Sequence, residues 1–174
     1  AEVIQALKDH LAAIRDGIGT EKSPDAYGAF PTDPYSHTPE NAGVKQPGMT
    51  GQVKEDVLAR YTEVGVHILD GQLGFRLDGF DVTECVSGDT SFEYYDVSGA
   101  AQSIIVPSGG FGYTICQVPV VYCPSDNDEL LIRSVDGSTV IVDGHTLDTQ
   151  TSRKLFGRTS EVTSIECRCS RLAN

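Results

Sequence analysis

Residues 53–77, VKEDVLARYTEVGVHILDGQLGFRL, contain the change of pattern that decides the fold. Up to about Thr62 the apolar residues recur at the spacing of a helix, which places Val57 and Leu58 on one side of it. Beyond Thr62, two short runs of β-forming residues flank Asp70-Gly71, a dipeptide that favours a type I′ hairpin. The sequence therefore predicts that a helical region, residues 1–62, is followed by a β domain, residues 63–174.

The helical region is predicted to hold two helices joined by an ordered loop. Residues 1–16 carry a single apolar stripe, and a second helix runs from about Gly51 to Tyr61 with Thr50 as its N-cap. Val57 and Leu58 should lie in the core, so that Leu58→Ala would cost about 2–5 kcal/mol at a fully buried site. The loop before the second helix contains five of the eight prolines, which stiffen it.

The β domain is predicted to be an antiparallel β-sandwich or jelly roll, because about eight short strands are separated by turn residues. A second tight hairpin is expected at Asp136-Gly137, and one helical turn over residues 151–156. Pro119 should put the second half of its strand at a sheet edge or a bulge. The predicted strands are residues 64–69, 72–77, 91–97, 102–107, 112–122, 129–135, 138–142 and 163–169.

The charge and the cysteines limit the classes of partner. A formal net charge of −12 repels phosphate backbones and anionic lipid, so we expect no nucleic-acid and no membrane partner. No apolar run reaches the ~18 residues of a membrane-spanning helix. The five cysteines match neither a zinc pattern nor a secreted disulfide framework, so we expect no metal, no cofactor and a cytoplasmic location. Cys167 and Cys169, two apart in a predicted strand, should point to the same face, towards a core. These two and Cys116 should be buried and reduced.

The proline-rich loop and the start of the second helix hold the candidate site. Asp33 and Glu55 are the one pair of carboxylates that we consider for glycoside hydrolysis, which needs two acids across a cleft. Aromatic rings and amides nearby suit sugar binding, and the candidate substrate-binding residues are Tyr27, Tyr35, His37, Gln46 and Gln52. The structural alternatives stay open: Asp33 precedes a proline and suits a turn, and Glu55 complements a helix dipole.

Three segments carry a resemblance to a known family: DPYSHTP, residues 33–39; KQPGMTGQVKEDVLARYTEVGV, residues 45–66; and GYTICQVPVVY, residues 112–122. They resemble the C-terminal portion of large bacterial six-hairpin glycosidase-like proteins, glycoside hydrolases or phosphorylases in which an (α/α)-barrel precedes a β-sandwich. The resemblance implies that the two helices end a helical barrel and that the loop lines its sugar cleft. Most of such a barrel is missing from this chain.

Three functional hypotheses follow from the sequence. The first is a carbohydrate-active protein, or its C-terminal fragment, with residues 27–60 lining a glycan-binding cleft. The alternative is a non-catalytic β-sandwich that binds a partner or has a structural role. A third is a small enzyme with a metal held by Asp33 and His37. Whether this chain is an enzyme by itself is left open, and its partners are expected to be a carbohydrate and either the missing barrel or another copy of the chain.

Overall fold

The computed structural model describes residues 2–3, 5–10 and 50–173. The chain divides into two compact units, Ala1–Arg60 and Tyr61–Asn174. In the first unit, residues 2–3 and 5–10 are helical, within the helix that the sequence predicts for residues 1–16. The proline-rich loop lies outside the described residues.

Helix α1, Thr50–Glu63, begins where the sequence predicts it. The prediction that Val57 and Leu58 lie in the core is wrong, because they are 46% and 59% exposed. Helical spacing shows which residues share a face, but it does not show that another element covers that face. The large loss of stability predicted for Leu58→Ala assumed a fully buried site, and Leu58 does not occupy one.

The second unit is mainly β, as predicted. Among the described residues it contains nine strands, helix α2 and two short 3₁₀ helices, Val82–Glu84 and Ser170–Leu172. The strands are β1 Val66–Leu69, β2 Gln72–Phe75, β3 Thr90–Tyr95, β4 Ala101–Val106, β5 Phe111–Ile115, β6 Val118–Pro124, β7 Glu129–Ser134, β8 Thr139–Asp143 and β9 Val162–Cys169. Helix α2 is Thr149–Phe156 and extends the single turn that was predicted for residues 151–156.

Five of the strands form a mixed sheet in the order β5-β6-β9-β7-β8. Strands β6 and β9 are parallel, whereas the other strand pairs of the described part are antiparallel. Residues 112–122 were predicted to be one strand, and this is wrong: the chain reverses at Cys116 and Gln117, whose φ angles are +51° and +68°. Pro119 lies in the interior strand β6 and not at an edge, and the register with β9 begins one residue later, at Val120.

The other strands form two hairpins, β1–β2 and β3–β4. The turn of the first hairpin is the predicted one, since Asp70 and Gly71 have φ angles of +50° and +76°. The predicted turn between β7 and β8 is also present, with Gly137 at φ +82°. The amide of Ser138 donates a 2.9 Å hydrogen bond to the Asp136 carboxylate in that turn.

The hairpin β1–β2 covers one face of the five-stranded sheet and closes the main core. On this inner face, Leu73 and Phe75 of β2 belong to the same buried cluster as Val120 and Tyr122 of β6. On the outer face, β4 approaches β5 closely. A Cβ atom at Gly112 would lie 2.6 Å from Val106 Cγ2, so glycine is required for this contact.

Helix α2 is fixed to β2 by a buried hydroxyl. Asp148 caps the helix by accepting a 2.6 Å hydrogen bond from the Thr151 amide. One turn further, Ser152 is fully buried and its Oγ accepts a 3.0 Å hydrogen bond from the Leu73 amide. Among the described residues, no helix combines the length and the apolar character needed to cross a membrane.

Candidate metal centre

The central strand β9 directs two cysteines into the core. Alternate residues of a strand point to the same face, and the register pairs Cys167 with Tyr122 on one side and with Leu130 on the other. Cys167 and Cys169 have no exposed surface and form no disulfide, as predicted. Cys116, predicted to be buried, is half-buried, because it lies in the turn between β5 and β6 and not within a strand.

His145 reaches these thiols from the segment between β8 and α2. The His145 carbonyl accepts a 2.9 Å hydrogen bond from the Phe75 amide, and the Leu147 amide donates a 2.8 Å hydrogen bond to Leu73. These two bonds hold the segment along the edge of β2. The imidazole is consequently directed towards the end of β9, with its side chain only 19% exposed.

Among the described residues, His145, Cys167 and Cys169 form a group whose ligand atoms all lie within 4.8 Å of one another. The two Sγ atoms are 3.5 Å apart, and Cys169 Sγ is 3.8 Å from His145 Nε2. Bonds of ~2.0–2.3 Å to a tetrahedral zinc ion place neighbouring ligand atoms about 3.3–3.8 Å apart. Two of the three separations therefore match a shared tetrahedral ion, and the third is at most 4.8 Å.

The electrostatics of the cluster favour one thiolate beside one imidazolium. The hydrogen bond with Cys167 and the contact with His145 lower the pKa of Cys169, and burial opposes them. The pKa of Cys167 is raised, because it shares that hydrogen bond and is itself buried. The hydrogen bond with Cys169 is also the main cause that raises the pKa of His145 to about 9. One proton leaves this thiol pair readily, whereas the second is held.

His145 Nε2 also lies 2.6 Å from the backbone oxygen of Arg168. A carbonyl oxygen only accepts, so this ring nitrogen carries a proton when the hydrogen bond is made. Coordination through Nε2 would replace that proton with the metal ion and so remove the hydrogen bond to Arg168.

A carboxylate borders the cluster on its solvent side. Asp128 Oδ1 is 3.8 Å from His145 Nε2, and the Asp128 side chain is 53% exposed. The same oxygen accepts a 2.8 Å hydrogen bond from the Ser170 amide, and Oδ2 accepts a 2.9 Å bond from the Ser170 hydroxyl. These bonds lower the pKa of Asp128, so it is a carboxylate at neutral pH.

The sequence-predicted site residues are not part of this cluster. Gln52 and Glu55 belong to helix α1, of which the structure describes the backbone but not these two side chains. The distance between the Asp33 and Glu55 carboxylates therefore stays untested. The remaining candidates also lie outside the described residues: Tyr27, Asp33, Tyr35, His37 and Gln46.

The sequence carried one signal for the cluster. Cys167 and Cys169 were expected on the same face of a strand, and they are two of the three residues of the cluster. His145 gave no such signal, because it lies 22 positions before Cys167 in the sequence. The hydrogen bonds of its backbone to β2 bring it there, and these are long-range contacts that spacing does not reveal.

No protein-family model matches this chain, and no curated protein matches it either. Function is therefore argued from the chemistry of the site.

Proposed function

We propose that the β unit is a metal-binding module and that Cys167, Cys169 and His145 hold a zinc-like divalent ion. One observation carries the proposal: three ligand atoms from two distant segments converge within 4.8 Å in a largely buried place. Two thiolates with one imidazole form a donor set that suits zinc and softer transition metals, and not magnesium or calcium.

A structural role for the ion is favoured over a catalytic one. Both thiols are fully buried, so an organic substrate does not reach their sulfur atoms. An ion at this place would tie the end of β9 to the segment that leads into α2. In a small domain such a tie adds directly to the free energy of folding.

The proposal is tested by titrating metal-free protein with Zn²⁺ in competition with a chromophoric chelator. We expect one equivalent to bind to the wild type. Cys169→Ser and His145→Gln should weaken binding by more than about 100-fold, beyond what changes around the ligands usually cause. Cys116→Ser, which changes a cysteine in the turn between β5 and β6, serves as the matched control and should bind like the wild type.

Two outcomes would contradict the metal site. One is a wild type that takes up no zinc under reducing conditions. The other is an equal loss of binding in Cys116→Ser and Cys169→Ser, because a loss shared with the control would mean that the ion binds elsewhere. Circular dichroism of each metal-free variant shows whether a weak binder is folded.

The carbohydrate-active function is a second proposal, for residues 27–60. It is supported by the aromatic and amide content of the loop, the family resemblance and the start of α1 at Thr50, where the loop is expected to end. A glycan array with wild type and Tyr35→Ala is the test, and equal signals from both proteins would contradict a role for this ring. A cytoplasmic location is part of the proposal, and the absence of a disulfide among the five cysteines is consistent with it.

A further inference from the structure

We infer that Asp128 is the fourth ligand of the metal site, which makes the coordination Cys₂HisAsp and closes it to solvent molecules. This inference rests on the proposed metal-binding function. It names the residue that decides whether the ion has an open coordination position, and therefore whether the site is structural or available for chemistry.

The first argument is position. Asp128 Oδ1 lies 3.8 Å from His145 Nε2, the same separation as that between His145 Nε2 and Cys169 Sγ. Neighbouring nitrogen and oxygen ligands of a tetrahedral zinc ion are about 3.3–3.6 Å apart when both bonds are near 2.0–2.2 Å. Asp128 therefore comes to within a few tenths of an ångström of that separation from the imidazole, and it lies just outside the group of three ligand atoms that are mutually within 4.8 Å.

The second argument is how the Asp128 loop is held. The Asp128 carbonyl accepts a 2.9 Å hydrogen bond from the amide of Gly144, the residue before His145. Its carboxylate accepts hydrogen bonds of 2.8 and 2.9 Å from Ser170, the residue after Cys169. Asp128 is thus joined on both sides to residues adjacent to the other ligands, which fixes its carboxylate at the border of the cluster.

The third argument is lone-pair capacity. An ionised carboxylate offers about four acceptor positions, and the Ser170 bonds use two of them. Oδ1 can thus keep its hydrogen bond to the Ser170 amide while it coordinates an ion. Outer hydrogen bonds of this kind commonly orient the ligands of metal sites.

The experiment uses Co²⁺ in place of Zn²⁺, because the absorption of Co²⁺ reports both the coordination number and the thiolate ligands. Wild type, Asp128→Ala and Asp126→Ala are loaded with one equivalent of Co²⁺ and then titrated with thiocyanate. Asp126 is an exposed aspartate in the same loop and provides the matched control.

With four protein ligands, the wild-type spectrum should be that of tetrahedral Co²⁺ and should not change with thiocyanate. Asp126→Ala should behave identically. Asp128→Ala should retain thiolate-to-cobalt absorption, bind Co²⁺ more weakly by at least about 10-fold, and change its spectrum as thiocyanate enters the open position.

Two results would overturn the inference, and they differ in what they mean. If the wild-type spectrum responds to thiocyanate as the Asp128→Ala spectrum does, the fourth position is already open and Asp128 is not a ligand, while the metal site itself stands. If the wild type shows no thiolate-to-cobalt absorption, the metal-binding function fails together with the inference.

Discussion

Replacing Tyr122 with phenylalanine tests the hydrogen bonding at the centre of the core, next to Cys167. Tyr122 is fully buried, and its hydroxyl donates to the Val64 carbonyl. The hydroxyl of Tyr113 lies 2.7 Å away. Because the single proton of Tyr122 is used on Val64, Tyr113 is the donor between the two hydroxyls. Burial raises the pKa of Tyr122 well above its ordinary value, so the hydroxyl stays protonated at all working pH values.

The expected magnitude follows from the groups that lose a partner. Tyr122→Phe removes two hydrogen bonds and leaves the Val64 carbonyl without its donor, which should cost about 2–4 kcal/mol. Tyr113→Phe is the matched control: it removes one hydrogen bond and leaves the Tyr122–Val64 bond intact, at a cost of about 0.5–1.5 kcal/mol. The double variant should be less destabilised than the sum, by about 1 kcal/mol, since the two residues share one bond.

Urea unfolding of the four proteins, followed by circular dichroism, measures these differences. The m-values should stay unchanged, so that shifts in midpoint report stability alone. A Tyr122→Phe variant within 0.5 kcal/mol of the wild type would refute the reasoning, because the buried carbonyl would then have another partner. Strict additivity in the double variant would show that the two hydroxyls are not bonded to each other.

Two further predictions concern the backbone. Gly65 and Gly71 both have φ near +80°, but their surroundings differ. A Cβ atom at Gly65 would lie 2.0 Å from the Arg76 carbonyl oxygen, whereas a Cβ atom at Gly71 would have no neighbouring atom within 4 Å. Gly71→Ala should cost about 1–2 kcal/mol for its conformation alone, and Gly65→Ala should cost at least about 1 kcal/mol more for overpacking; equal urea midpoints would contradict the close approach. Asp148→Ala should cost about 0.5–2 kcal/mol at pH 7, while Asp148→Asn, which also caps, should be nearly neutral. The Thr151 amide lowers the pKa of Asp148, so the part of this stabilisation that depends on the charge is present above the unfolded pKa of ~3.9 and is lost as the pH falls through the folded value. A gap between wild type and Asp148→Ala that widens in acid would be the contrary result.

Local patterns predicted the local elements of this fold. The start of α1 at Thr50 and the turn at Asp70-Gly71 follow from residues whose preferences act over a few positions. The turn at Cys116-Gln117 was missed, because neither residue favours the positive φ that both adopt. The hairpin of β7 and β8, by contrast, was predicted from its turn residues Asp136-Gly137.

The sequence patterns did not predict the long-range contacts. The parallel pairing of β6 with β9 joins segments about 45 residues apart, and it is this pairing that places Cys167 beside Tyr122. The cysteine spacing predicted a shared face correctly, but the approach of His145 depends on backbone bonds to β2. The exposure of Val57 and Leu58 has the same origin, since an apolar face is a property of one helix and its burial is a property of two elements.

Zinc K-edge X-ray absorption of the loaded wild-type protein tests the central claim most directly, because it counts the sulfur atoms bound to the ion. The account predicts two sulfur ligands at ~2.3 Å and two nitrogen or oxygen ligands at ~2.0–2.2 Å. A third sulfur would bring in another thiol, such as Cys85 or Cys116, which both pack against the same core cluster. A shell of nitrogen and oxygen alone would contradict the site, since it would mean that zinc binds this protein without Cys167 and Cys169.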